Sequence, residues 1–274
     1  MNAARRETIV ITGSEGVVGT VLRAGLAEAY ALRCLTRTPQ PFASEVADIT
    51  DEVRLREVFA GADAVIHLAG AITLQAGWDD VLTHNMQGTR NVFAAAKCAG
   101  APAVIYASSG HVLGGVEQRA GAGLYELGDT RQFDETTPPE PDTLYGVSKL
   151  YGETLGRHYA RHEGMRVISI RIGMVLPGDD PRTREAGRGR SSAMTPEERY
   201  PRMRAKWLSH RDCCQLFLCA LAAKHVADAV VFGTSNNPRQ IWSLRGAREM
   251  LGYEPRDAAP AAYGDGGRGE EVRV

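Results

Sequence analysis

A short apolar, β-branched run, Thr8-Ile9-Val10-Ile11-Thr12, stops at Gly13, and Gly16 and Gly19 follow at three-residue intervals. From Val17 to Tyr30 apolar residues recur at Val17, Val18, Val21, Leu22, Leu26 and Ala29, one stripe of a helix. A run of the first kind is a buried parallel strand. Strand, glycine loop and helix in that order, at the start of a chain, constrain the fold more than any other feature here. The glycines let the backbone turn tightly, approach a pyrophosphate and pack the helix on the strand. The helix N-terminus presents free N–H groups to the anion. A glycine triplet alone is weak evidence, but this placement makes it specific. Gly13, Glu15, Gly16, Val17 and Gly19 are therefore expected to contact a dinucleotide.

The same alternation continues. Strands are predicted over 31–36, 64–68, 103–107 and 166–170, and helices over 51–60, 78–99 and 143–162, with Thr50 or Asp51 capping the first of these helices. Such βαβ units imply an α/β fold: a Rossmann-type, doubly wound parallel sheet with right-handed crossovers. Residues 1–171 are expected to form this core and its catalytic residues, 172–258 a small substrate-binding lobe interleaved with it, and 259–274 a fraying tail. Residues 114–141 and 178–199 break the rhythm and are too long for ordinary connections, so each is expected to be a lid or a mobile insertion.

Composition excludes other classes. With 43% hydrophobic and 24% charged residues the chain is an ordinary globular protein. A net charge of −1 provides no basic field for a nucleic-acid backbone. No apolar run is long enough to span a bilayer, and no leader core precedes Thr8, so a cytoplasmic protein without membrane contact is expected. Cys34, Cys98, Cys213, Cys214 and Cys219 show no metal-binding spacing and are expected to be structural, and no metal site is expected.

Tyr145-Gly146-Val147-Ser148-Lys149 sets a phenol and an ammonium at i and i+4, on one helical face. A nearby ammonium favours the phenolate, lowering a pKa that starts near 10, so Tyr145 is a candidate proton acceptor. Upstream, Tyr106-Ala107-Ser108-Ser109-Gly110-His111 closes the fourth strand.

The Gly-x-x-Gly-x-x-Gly spacing, the YxxxK pair, His67-Leu68-Ala69-Gly70 and Asn85-Met86-Gln87-Gly88-Thr89 together resemble the extended short-chain dehydrogenase/reductase family, from about Thr8 to Arg171. The resemblance implies a nicotinamide cofactor. Asp48 and Ile49 would read its adenine, and Leu68, Ala69, Gly70, Tyr145, Lys149 and Ile172 would also touch it. Ser109 would be the catalytic serine that orients the reacting oxygen; Ser108 more simply satisfies backbone at the strand end. Tyr145 would take the hydroxyl proton as hydride leaves the same carbon. Lys149 would steady the phenolate, and Asn85 would support Lys149 through a water. Where the family has an NAD-selecting aspartate this chain has Thr36, followed by Arg37. The absent carboxylate and the added cation favour NADP over NAD.

Within the family the closest pattern is that of uronate dehydrogenases, which oxidise the anomeric hydroxyl of sugar acids. It rests on Ser108 to His111, on Arg202-Met203-Arg204-Ala205-Lys206-Trp207-Leu208-Ser209-His210-Arg211-Asp212 and on Val231 to Asn236. The resemblance implies that Arg202 binds the sugar carboxylate, a task that suits a guanidinium. His111 would touch the sugar, and Thr73, Ser109, Gly110, Tyr145 and Met174 would line its pocket. His210 could simply belong to a helix cap with Ser209. Three departures remove polar contacts: Gly110 replaces an asparagine, Met174 a serine and Thr36 the aspartate. A changed, less hydroxylated substrate is therefore expected. A sugar-nucleotide epimerase or dehydratase is the nearest alternative, but only roughly 100 residues follow Arg171, little room for a nucleotide-binding lobe. A dinucleotide-sensing regulator without catalysis is the other; retention of Ser109, Tyr145 and Lys149 argues against it. A homodimer through the helices carrying Asn85 and Tyr145 is implied by the resemblance, with Val92, Phe93, Leu150 and Leu155 serving either that interface or the core.

Overall fold

The computed structural model describes residues 5–74, 76–182 and 196–261. Seven parallel strands form one sheet: β1 (Thr8–Thr12), β2 (Ala31–Thr36), β3 (Glu45–Val46), β4 (Ala64–His67), β5 (Ala103–Ser109), β6 (Arg166–Ile172) and β7 (Asp228–Gly233), in the order β3-β2-β1-β4-β5-β6-β7. The order reverses between β1 and β4, and the loops after these two strands frame a crevice at the C-terminal edge, where this topology binds ligands. The expected α/β architecture is therefore the observed one.

Helices cover both faces, so the strands are apolar on both sides. On one face α1 (Val17–Leu26), α8 (His210–Ala222) and α9 (Arg245–Leu251) bury Leu22, Leu26, Phe217 and Leu251 against Ile11, Ile105 and Ile170. On the other, α2 (Glu52–Phe59), α4 (Gly88–Cys98) and α6 (Leu144–Glu163) bury Leu55, Phe59 and Phe93 against Val10, Val65 and Val104. Val92 and Phe93 belong to this core rather than to an interface. Asp51, not Thr50, caps α2 through Arg54 N, at 3.0 Å.

Several expected boundaries move. Helix α1 ends at Leu26, four residues short of Tyr30. The long helix over 78–99 is built from α3 (Trp78–Asp80), a π-helical stretch (Val81–Gln87) and α4. Strands β5 and β6 each run two residues further, and in register Ser109 lies beside Ile172. The short β3 carries no clear signal of its own; β7, an apolar Ala229-Val230-Val231-Phe232 run ending at Gly233, is a strand beyond those expected and comes from the segment read as a lobe interleaved with the core.

Residues 114–141, expected to be a lid or a mobile insertion, carry regular structure and packed side chains. They contain α5 (Gly114–Ala120) and a 3-10 turn (Ala122–Tyr125), and they bury Glu117, Leu124 and Tyr125. Phe133 pairs with the 241–243 backbone, through Phe133 N to Ile241 O at 2.9 Å and Ser243 N to Phe133 O at 2.7 Å. The apolar anchors are single and widely spaced, so no period betrays them. Of the second insertion, 183–195 lies outside the described residues, as do 262–274 of the tail; α7 (Pro196–Lys206) begins within the stretch read as loop.

Candidate active site

The crevice holds a groove of about 390 Å³, lined by Gly13, Glu15, Gly16, Thr36, Arg37, Asp48, Ile49, Leu68, Ala69 and Gly70, as the sequence suggests. Ala71, Ile72, Asp80 and His84 line it as well. The i, i+4 spacing of Asp80 and His84 on one helix was the available signal for that pair. Val17 opens α1 and Gly19 is buried in it, outside the groove lining.

Two features suit this groove to a dinucleotide. Gly13 has φ +68, and a Cβ there would sit 2.8 Å from Ala69 N, so the loops after β1 and β4 touch backbone to backbone. The first turn of α1 follows Gly16 with no side-chain cap and no acidic residue, leaving its amides for an anion. The floor is rigid. Thr12 Oγ1 accepts from Leu68 N and Ala69 N, both at 3.2 Å, and meets His67 Nδ1 at 2.8 Å, while His67 Nε2 meets Thr89 Oγ1 at 3.1 Å. Burial, with Lys149 nearby, pushes His67 down to about 3, so it is a neutral bridge. Asp48 accepts from Thr50 N and Oγ1 at 2.9 and 2.8 Å; burial opposes its charge, but these bonds and Arg37 hold it below the usual carboxylate range.

A second, smaller cavity of about 70 Å³ shares Ile72 with the groove. Ser109, Gly110, His111, Tyr145, Met174 and Arg202 line it together, so residues from β5, α6, the end of β6 and α7 converge as expected. Ile172 lines this cavity rather than the cofactor groove, because β6 ends beside Ser109. Thr73 is exposed, while its neighbours Ile72 and Leu74 form the wall.

Thr143 caps α6 by accepting from Gly146 N at 3.0 Å, which fixes the turn carrying Tyr145. The buried Lys149 donates to Ala107 O at 2.8 Å, and its Nζ lies 5.5 Å from the Tyr145 ring centroid. Burial pushes Lys149 down to about 8, while Glu153 pulls it back up. The Ser109 hydroxyl accepts from His111 N at 3.2 Å. Asp142, which the sequence did not single out, holds His111 Nδ1 at 2.8 Å and so leaves Nε2 as the second ring nitrogen; the ring stands edge-on to Tyr145 at 5.9 Å.

The side chain of Asn85 is held on both sides of the groove wall. Its Nδ2 donates to Ala71 O and to Ser148 Oγ, both at 3.0 Å, and its Oδ1 accepts from Ala71 N at 2.6 Å. Both amide hydrogens are used. Ser148 in turn donates to Tyr145 O at 2.7 Å, so Asn85 ties the groove wall to α6. The Ser108 hydroxyl, expected to satisfy backbone at the strand end, instead donates to the carboxylate of the buried Glu153 at 2.6 Å. The cap reading of Ser209 also holds, through Asp212 N at 3.0 Å, while His210 Nε2 meets Leu176 O at 2.7 Å.

Three cavity features escaped the sequence reading. Lys206 and Trp242 line the wall, and Glu117 lies behind it. Glu117 accepts from Tyr125 Oη at 2.8 Å and Trp242 Nε1 at 3.2 Å, pairs with Lys206, and has Arg202 Nε 3.7 Å away. The indole explains Gly110: a Cβ there would lie 2.1 Å from Trp242 Cη2, so Trp242 fills the space of the missing asparagine. Lys206 sits four residues after Arg202, a helical spacing that a helix assignment over 196–206 would have revealed.

The sequence profile of the NAD dependent epimerase/dehydratase family matches residues 9–231, from β1 into β7. The NAD-dependent glucose-6-phosphate dehydrogenase of Haloferax volcanii is 36% identical over 264 residues, covering 92% of this chain and 94% of that one. The uronate dehydrogenase of Pseudomonas syringae pv. tomato is 30% identical over 92% of this chain and 82% of its own. The crystal structure of uronate dehydrogenase from Agrobacterium tumefaciens superposes with a TM-score of 0.74 at 28% identity, covering 92% of this chain and 85% of that one. With a family profile matching 9–231 and a relative 36% identical over nearly its whole length, the chain belongs to the NAD dependent epimerase/dehydratase family.

Proposed function

We propose that the chain is an NAD(P)-dependent oxidoreductase acting on the anomeric hydroxyl of a small sugar or sugar acid. The observation that carries this reading is the convergence of Ser109, Tyr145 and Arg202 on one cavity that opens beside the dinucleotide groove, with Lys149 beneath Tyr145. Relatives named as glucose-6-phosphate, L-arabinose and uronate dehydrogenases support a sugar as substrate. The nicotinamide, when bound, supplies the hydride acceptor. The protein's own residues do the rest. Ser109 holds the reacting oxygen, Tyr145 takes its proton as phenolate, and the Lys149 ammonium stabilises that phenolate. Arg202 binds an anionic group at the far end of the substrate. Residues 172–258 contribute Arg202, Lys206 and Trp242, and we assign the parts of this span that line the cavity as the substrate-binding part, interleaved with β7 and α8 of the core.

The test is absorbance in the reduced-nicotinamide band, with NAD and NADP offered separately against glucuronate, galacturonate, glucose 6-phosphate and neutral aldoses. Steady turnover with any of these sugars supports the reading, and none with all of them contradicts it.

NADP is the cofactor we favour. Strand β2 ends in Thr36, whose hydroxyl donates to Ser44 Oγ at 3.1 Å, and the exposed Arg37 stands on the groove wall. A guanidinium–phosphate bond is worth roughly 1.5–3 kcal/mol, about ten- to a hundredfold in affinity. Arg37→Gln should raise the KM for NADP by about tenfold and leave that for NAD within twofold. Equal effects on both would overturn the assignment.

We also propose a homodimer through the helices carrying Asn85 and Tyr145, on whose surface Trp78, Leu82, Leu144 and Val147 are exposed. Sedimentation at micromolar concentration distinguishes it from a monomer.

A further inference from the structure

We infer that Lys206 is a second substrate-recognising cation, which with Arg202 forms a two-pronged oxyanion site held in place by Glu117. This rests on reading the cavity as the sugar site of an oxidoreductase. Arg202 and Lys206 both line the cavity from the last two turns of α7. Lys206 is 3% exposed, and burying an ammonium costs several kcal/mol that a single structural ion pair seldom returns. A cation kept at that cost beside a substrate cavity calls for a second anion.

Glu117 hydrogen-bonds Lys206 but not Arg202 Nε. Trp242 Nε1 occupies its Oε1, while the Tyr125 hydroxyl and the Lys206 ammonium occupy its Oε2. Arg202 Nε, 3.7 Å away, is within ion-pair range but beyond hydrogen-bond length. The ammonium has three donors and the guanidinium five, so both keep hydrogens for another acceptor. Asp142, the other nearby carboxylate, is taken by His111 Nδ1 and by the Thr143 hydroxyl at 3.3 Å. Lys206 Nζ also lies 4.6 Å from the Trp242 ring centroid, so the indole face and Glu117 fix the ammonium between them. Glu117 is thus a positioning residue, and the two cations offer one prong to each oxygen of a carboxylate or phosphoryl group. Burial, together with repulsion from Arg202, pushes Lys206 down to about 8, with Glu117 and Asp142 opposing. Its charge, and the grip on an anion, should fade as pH rises through that value.

The experiment compares the wild type with Lys206→Met and Lys206→Arg on glucuronate, glucose 6-phosphate, glucose and galactose. It also titrates glucuronate and glucose 6-phosphate calorimetrically into each protein with cofactor present. Lys206→Met should cut the kcat/KM preference for the anionic over the neutral sugar at least tenfold, mainly through the KM of the anionic one. Lys206→Arg should restore most of it. Comparing glucuronate with glucose 6-phosphate identifies the oxyanion as carboxylate or phosphoryl. A loss shared equally by anionic and neutral sugars, or an unchanged preference, overturns the assignment. If Lys206→Met does not fold, the wild type decides: its KM for the anionic sugar must rise above about pH 8 relative to that of the neutral one, and parallel profiles overturn the inference. If the wild type turns over no sugar, the proposed function fails separately. Calorimetry then still judges Lys206: weaker anion binding in Lys206→Met supports it, and unchanged or absent binding does not.

Discussion

Replacing Tyr145 with Phe should lower kcat by at least roughly a hundredfold, the smallest effect usual for a positioned acid–base group, while leaving dinucleotide affinity within about twofold. The ring stays, so its edge-on contact with His111 and its neighbourhood to Lys149 survive; only the hydroxyl goes. Stopped turnover with retained cofactor binding separates an acid–base role from a structural one. A variant keeping more than a tenth of wild-type kcat would remove Tyr145 from the mechanism. The pH profile supplies a second check. Lys149 is charged below about 8 and loses its proton above, and only the charged form stabilises the phenolate. Turnover in the oxidative direction should therefore decline on the alkaline side of that value.

The largest expected loss of stability comes from Glu153→Gln. Glu153 and Arg171 are 3% and 4% exposed and meet in a two-toothed pair, Nε and Nη2 each 2.9 Å from a carboxylate oxygen. Ser108 adds a third donor. Arg171 Nη1 already has no hydrogen-bond partner among the described residues, so the guanidinium depends heavily on this carboxylate. Breaking one side of a buried pair costs about 3–5 kcal/mol. For a domain of this size that is a fall in Tm of roughly 10 °C. Glu153 is also one helical turn beyond Lys149 and favours its charged form. Removing that negative charge should lower the Lys149 pKa further, moving the alkaline decline of activity to lower pH. A shift of the decline to higher pH would remove Glu153 from the tuning of Lys149, and a Tm change under about 2 °C would show that the pair adds little stability.

Where the sequence was legible, one local rule decided the outcome. The strand–glycine–helix unit placed Gly13 and Gly16 on the groove because turn geometry and amide exposure are properties of consecutive residues. Tyr145 and Lys149 needed only helical spacing, while Ser109 was picked out by the family resemblance. Apart from helix α7 and the Asp80–His84 spacing, which were locally readable, the misses were long-range. Nothing near Trp242 in the chain announces that its ring will occupy the space over Gly110. Glu117 looks like any surface glutamate until Tyr125, Lys206 and Trp242 gather round it from three separate segments. Asn85 was found by motif, yet its working partners, Ala71 and Ser148, follow from loop and helix meeting in space. The regular structure within 114–141 was not foreseen because its packing rests on isolated anchors such as Leu124 and Phe133 rather than on a periodic face.

Isotope transfer tests the central claim most directly. Glucuronate or glucose 6-phosphate carrying deuterium at the anomeric carbon would be incubated with the protein and oxidised cofactor, and the reduced cofactor weighed by mass spectrometry. Oxidation at the anomeric hydroxyl places deuterium in the reduced cofactor, one atom for each lactone formed. Deuterium retained in the sugar, without accumulation of reduced cofactor, would contradict that account and turn attention to the epimerase branch of the family.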